Sequence, residues 1–208
     1  MSARLGGGFL CLACIAMPII IVDYLMIMSG AEGGAEITNV ERARYAKSVF
    51  AAAARGWTFE VLAISLIAAA SFILMTRPSR AGWALAAVGA LVTMPMYPIM
   101  LGGYGEVFAQ PDLNVDLFMV LRAISLIVFY VGQGLMMAGF GLVLFIELRS
   151  SDRLMPNWLY GLGVGANAIA GGIFLLLHFG LLNSFAIGGP FGLVGFAIMA
   201  VFGARLAL

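Results

Sequence analysis

Charge is scarce in this chain. Of 208 residues only 10% are Asp, Glu, Lys or Arg, against 63% hydrophobic, and the mean hydropathy is +1.07. A soluble domain of this size cannot carry so much apolar surface, because it must cover itself with polar groups. The formal net charge is +1, which supplies neither a basic face for nucleic acid nor an acidic tail. Lysine occurs once, at Lys47, outside the apolar runs; a retinal-type Schiff base within a span is therefore excluded. Histidine occurs once, at His178, so bis-histidine haem ligation within one chain is excluded. The 2 cysteines, Cys11 and Cys14, lie inside the first apolar run, which rules out a disulfide framework. Cys11-Leu12-Ala13-Cys14 lacks the following His of a c-type haem site and the second pair of a zinc site, and reads as packing. There is no phosphate loop, no G-x-S-x-G and no H-E-x-x-H. The expectation is no metal, no cofactor and no nucleic-acid partner.

What is present is hydrocarbon in blocks of membrane length. Spans of roughly 20 residues are expected at about 8–29, 57–76, 82–102, 121–146, 157–178 and 186–206. The first run exceeds a signal-peptide core of roughly 7–15 residues, so it reads as a retained span. Leu113 to Leu148 reads as one helix; at about 1.5 Å per residue it is near 50 Å, longer than a bilayer core of about 30 Å. Its first turns are expected at the interface. The fold class is all-α: a polytopic bundle of six transmembrane helices in a single domain, with an amphipathic surface helix after the first span. Arg4, Arg77, Arg80, Arg149, Arg153 and Arg205 alternate onto one side, which predicts both termini in the cytoplasm. Arg42, Arg44, Lys47 and Arg55 in the first outer loop run against that bias.

That loop carries its own helix signal. Thr38-Asn39-Val40-Glu41 fits a capping box. Ala43, Ala46, Val49, Phe50 and Ala53 then share one side, with Glu41, Arg44, Ser48 and Arg55 opposite. An amphipathic helix over about 39–55 follows, as a lid or anchor or as a binding element over a pocket. In the third span, Thr93-Met94-Pro95-Met96-Tyr97-Pro98 removes two backbone donors three residues apart and predicts a broken helix. Pro18 predicts a milder kink in the first.

Five residues interrupt the hydrocarbon: Asp23, Glu60, Arg122, Gln133 and His178. A charged side chain at mid-helix costs roughly 2.5–3.5 kcal/mol on insertion scales, so such residues seek shelter in a bundle interior. Rise per residue puts Asp23, Glu60, Arg122 and His178 in one leaflet with the proline break. Residues about eleven apart share a helix face. Arg122 with Gln133, Asn167 with His178, and Glu60 with Ser71 have this spacing. The expectation is a polar seam centred on Asp23 and Arg122. Its candidate ligand-binding residues are Asp23, Glu60, Tyr97, Arg122, Gln133, Asn167 and His178. Asp23 is expected to pair with Arg122, and Gln133 to hydrogen-bond Asn167 across adjacent helices. Snorkelling to the headgroups is the alternative for Glu60 and Arg122, and an interfacial position for His178. Small-xxx-small pairs at Gly134/Ala138, Gly161/Gly165, Ala168/Gly172 and Gly188/Gly192 suggest close approach of the last three spans.

The turn Arg149-Ser150-Ser151-Asp152-Arg153-Leu154-Met155-Pro156-Asn157-Trp158-Leu159-Tyr160-Gly161 resembles one in a bacterial six-helix integral membrane family catalogued as a domain of unknown function. The similarity lies mainly in residues 145–161. It implies fold and a bacterial inner-membrane location, and supplies no catalytic residues. The function expected first is a non-catalytic membrane protein. It would bind a lipid-like or small hydrophobic ligand, or serve as accessory subunit of a larger membrane complex. A small transporter and an embedded enzyme acting on a lipid, quinone or isoprenoid are the alternatives. The bilayer is the one partner the composition requires, and oligomeric state is left open.

Overall fold

A computed structural model describes residues 2–28, 37–182 and 188–208. Among them the regular elements are all helical: α1 (Ser2–Met28), α2 (Asn39–Leu74), α3 (Arg80–Thr93), α4 (Met96–Pro98), a π-helical stretch (Ile99–Gly103), α5 (Tyr104–Ala109), α6 (Val115–Leu148), α7 (Asn157–His178) and α8 (Gly188–Ala207). Six units are long and apolar enough to cross a membrane; α3 through α5 make up the third, Arg80–Ala109. The chain is thus an all-α bundle of membrane-spanning length. The expected start of the last span at 186 falls within 183–187, outside the described residues.

Consecutive spans pack side by side, and α1 returns onto α8, so the six form a closed ring in chain order. Neighbours run antiparallel, as shown by Gly6 against Leu74, Gly7 against Gly203, Gly82 against Val143 and Gly163 against Ile198. Arg4, Arg77, Arg80, Arg149, Arg153 and Arg205 consequently lie toward one end, called here the basic end.

Two elements depart from the expected bounds. The amphipathic segment and the second span are one unbroken helix of 36 residues, about 54 Å long at the α-helical rise. Gly56 is the only breaker between them, and a lone glycine costs only about 1 kcal/mol. The capping box is present: the Thr38 hydroxyl accepts from Glu41 N at 3.2 Å, and Thr38 N donates to the Glu41 carboxylate at 2.9 Å. Ala43, Ala46 and Ala53 are buried while Arg44, Ser48 and Arg55 are exposed, as the amphipathic pattern requires. α6 has the expected extent, 34 residues from Val115.

The third span breaks where its prolines predict. α3 stops at Thr93 and the chain turns through Met94 and Pro95. It then recovers as the short α4, the wider π-helical stretch and α5. Missing proline donors stop the ordinary ladder, and π-type pairing absorbs the offset.

The tightest helix contact lies between α3 and α6. A Cβ on Gly82 would strike Val143 at 2.7 Å, and one on Gly89 or Gly139 would collide with the facing backbone of Met136 or Ala86. Gly82 and Gly89, and Gly132 and Gly139 opposite, recur at seven-residue spacing, so the backbones touch over a full heptad of each helix. The small-xxx-small expectation is corrected here. Gly134 does face α7, but Gly161, Gly165, Gly172 and Gly192 have open space where a Cβ would sit. Spacing alone does not say which face of a helix meets a neighbour.

Candidate functional site

The opposite end of the ring holds a cavity of about 120 Å³. Its walls come from α1 (Ile20, Ile21, Tyr24, Leu25), α2 (Arg42, Ala46, Ala53, Trp57, Glu60), the broken third span (Met96, Met100, Tyr104, Phe108) and α6 (Phe118, Arg122, Ser125, Leu126, Phe129, Tyr130). The N-terminal third of α2 is one wall of this space. It is held there by two bonds across elements: the Tyr45 hydroxyl donates to Ile27 O at 2.8 Å, and Lys47 Nζ to Gln110 O at 3.2 Å.

Aromatic rings dominate the walls. Trp57 and Tyr104 meet edge to face at 5.8 Å between centroids, while Tyr104 and Phe118 at 5.1 Å and Phe108 and Phe118 at 5.4 Å are tilted pairs. Tyr24 adds a tilted contact to Trp57 at 6.2 Å. Such pairs contribute about 0.5–1.5 kcal/mol each beyond area burial, so the walls are rigid.

Three charged side chains line this space: Arg42 and Glu60 from α2 and Arg122 from α6. Glu60 is only 8% exposed and Arg122 is half-buried. They form no ion pair with each other, and among the described residues no carboxylate pairs with Arg122. The Tyr97 hydroxyl, from α4, approaches Glu60, though no partner meets full hydrogen-bond geometry with it. The Tyr104 hydroxyl lies near Ser125 and within the field of Arg122. Among the described residues no three His, Cys, Asp or Glu side chains gather as a metal set requires.

The structure thus puts Glu60 and Arg122 on one cavity, with Tyr97 beside Glu60 but off the lining, and separates the other candidates. Asp23 is exposed and off the cavity, whose α1 wall is formed by Ile20, Ile21, Tyr24 and Leu25. No ion pair joins it to Arg122. The depth estimate for Asp23 ignored azimuth: on α1 it is Tyr24, one residue on, that turns inward. His178 ends α7 with its ring against Phe179 and its Nδ1 unpartnered, outside the cavity lining.

Gln133 and Asn167 are both buried but do not meet. Asn167 donates to Gly163 O at 2.8 Å within its own helix, and its Oδ1 faces Gly195 of α8. Its Cβ lies level with Gly141 on α6, about 12 Å along the axis from Gln133 at the helical rise. Counting inward from span ends placed them at one depth only because α6 overruns the bilayer.

A second polar site, at the basic end, escaped the sequence reading. Glu147 is 3% exposed and grips Arg77 twice, at 3.2 and 3.0 Å. Ser79 donates to the same carboxylate at 2.9 Å and in turn accepts from the Trp83 indole at 3.1 Å. Both carboxylate oxygens, the Ser79 hydroxyl and the Trp83 indole therefore have partners. The signal was available: Glu147 lies on the α6 face that also carries Arg122 and Gln133, within about 40° at 100° per residue.

Comparison with protein-family models, curated proteins and solved structures finds no match for this chain. The function must therefore be argued from the cavity.

Proposed function

We propose that this chain is a non-catalytic integral membrane protein that holds one lipid-like amphiphile in the aromatic cavity. The observation that carries the proposal is Arg122, a half-buried guanidinium with no carboxylate partner among the described residues, set in an apolar, aromatic-walled space. Sites for small molecules are concave and mostly apolar with a few placed polar groups. A charge retained in such surroundings calls for a counter-charge.

Six arginines at the basic end favour the cytoplasm for both termini. The 149–161 turn supports membership of the six-helix family of unknown function and a bacterial inner membrane. A second reading, small-molecule transport, is favoured by one feature: the broken third span supplies Met96, Met100 and Tyr104 to the cavity wall. Discontinuous helices commonly line substrate sites in transporters.

The test is an experimental structure of the full chain with native lipids retained. Density bounded by Trp57, Glu60 and Arg122 is the expected result. A cavity collapsed by inward rotation of those side chains would reject the reading.

A further inference from the structure

This inference rests on the ligand-binding reading above. We infer that the guest is a net-anionic amphiphile whose oxyanion head seats on Arg122 at headgroup level, with its chain outside the cavity.

Depth along the helices sets the sign of the head. The basic end marks one face of the hydrocarbon core, which is about 30 Å thick. Arg122 is about 39 Å along α6 from Leu148 at that end. It therefore lies level with the headgroups of the opposite face. Glu60 is about 21 Å along α2 from Leu74, still at hydrocarbon depth. An amphiphile in register with the bilayer keeps its polar head at the level of Arg122, not of Glu60. Among the described residues Glu60 is the one carboxylate on the lining, and the Tyr97 hydroxyl approaches it from off that lining. A head that carries an ammonium meets a guanidinium at its own level and no lining carboxylate there. Like charges so placed are costly. An oxyanion meets its opposite charge.

Partner accounting makes Arg122 the seat. Arg42 also lines the cavity, but it has partners of its own, among them Asn39 Oδ1, to which its Nη1 donates at 3.3 Å. The sign of the guest therefore does not rest on Arg42. Ser125 and Tyr104 lie beside Arg122 on the same lining. The Ser125 hydroxyl donates to Leu121 O at 2.9 Å, which leaves it an acceptor for the neighbouring Tyr104 hydroxyl. The guanidinium is the donor set left for a guest, and its planar fork suits phosphate or carboxylate.

Size says how much of the guest enters. An engineered apolar cavity of about 150 Å³ takes one benzene. A space of about 120 Å³ thus takes a head and its first carbons, not two acyl chains. A lipid headgroup and a free oxyanion share this chemistry.

The experiment is calorimetric titration of the full chain in nonionic detergent with three probes. They are dihexanoyl phosphatidic acid, dihexanoyl phosphatidylcholine and inorganic phosphate. The phosphatidic acid should bind about tenfold or more tighter than the choline lipid. Arg122→Gln should bring the two within about twofold by weakening the acid, while Glu60→Gln should leave the preference in place. Equal affinity in the wild type, or a preference that survives Arg122→Gln or is lost with Glu60→Gln, overturns the seat. Should Arg122→Gln fail to fold, Arg42→Gln decides: a preference it keeps supports Arg122, and one it abolishes overturns it. Inorganic phosphate binding as tightly as phosphatidic acid overturns a lipid as the source of the oxyanion; its failure beside a binding phosphatidic acid supports the amphiphile. Equal binding of both lipids that Ala53→Trp removes would leave the ligand reading intact while the anion falls. Binding by none of the three overturns the anion, and lipid density in the cavity then decides the ligand reading separately.

Discussion

Glu60 on α2 and Arg122 on α6 face the same cavity and form no ion pair. Arg77 and Glu147, at the other end of the ring, meet at 3.0 Å with each carboxylate oxygen bonded. One pair ties α6 to the turn before α3; the other, on the reading proposed above, leaves Arg122 to a guest. Several outcomes separate these roles.

Replacing Glu60 by Gln should stabilise the ligand-free protein. A buried carboxylate without a cation costs more than an amide of the same shape, by about 1–3 kcal/mol. Thermal unfolding in detergent, freed of lipid, should show a midpoint raised by a few degrees. A lowered midpoint would mean that Glu60 is already satisfied by the protein.

Glu147→Gln should act in the opposite sense. It leaves Arg77 facing an amide in a buried site, a loss of about 3–5 kcal/mol where one partner of such a pair is removed. The double change Arg77→Met with Glu147→Leu should recover much of the loss. If the single variant melts like the wild type, the knot contributes nothing to the fold.

Gly89→Val should fail to give a monodisperse protein, because its side chain would enter the Met136 backbone. Overpacking typically costs about 1–3 kcal/mol, and more when backbone cannot yield. Gly165→Ala, with open space around it, should be near neutral. Size-exclusion profiles of the two variants give the comparison, and equal behaviour would contradict the α3–α6 contact.

Restoring the backbone donors with Pro95→Ala and Pro98→Ala together should let the third span run on as a regular helix. That would rotate Met96, Tyr97 and Met100 relative to Glu60. Lipid affinity should then fall by about tenfold while thermal stability rises, since proline inside a helix costs about 3 kcal/mol. Unchanged affinity would show that the break does not shape the cavity.

The membrane fold was legible because its signals are long: spans of about 20 apolar residues and prolines three apart leave few alternatives. The capping box at Thr38 and Glu41 was legible because it is local. Site residues needed azimuth, and composition does not give it. Glu60 and Arg122, which line the cavity, were singled out by their cost in lipid; Tyr97, singled out by its place between the prolines, lies beside Glu60 but off the lining. Asp23 had the same cost but sits one residue off the inward face taken by Tyr24. Trp57, Tyr104 and Phe118 were invisible as site residues, since aromatic rings near a span end usually mark only the interface. Glu147 was hidden in a basic turn that topology already explained.

The central claim is that one amphiphile occupies the cavity of each chain. Native mass spectrometry of the wild type and of Ala53→Trp, released from the same lipid nanodiscs, tests it most directly. Ala53 is 2% exposed and lines the cavity, so an indole there fills the space. The account predicts one retained lipid-sized mass on the wild type and none on Ala53→Trp, with both chains folded by circular dichroism. Equal occupancy of the two would contradict it.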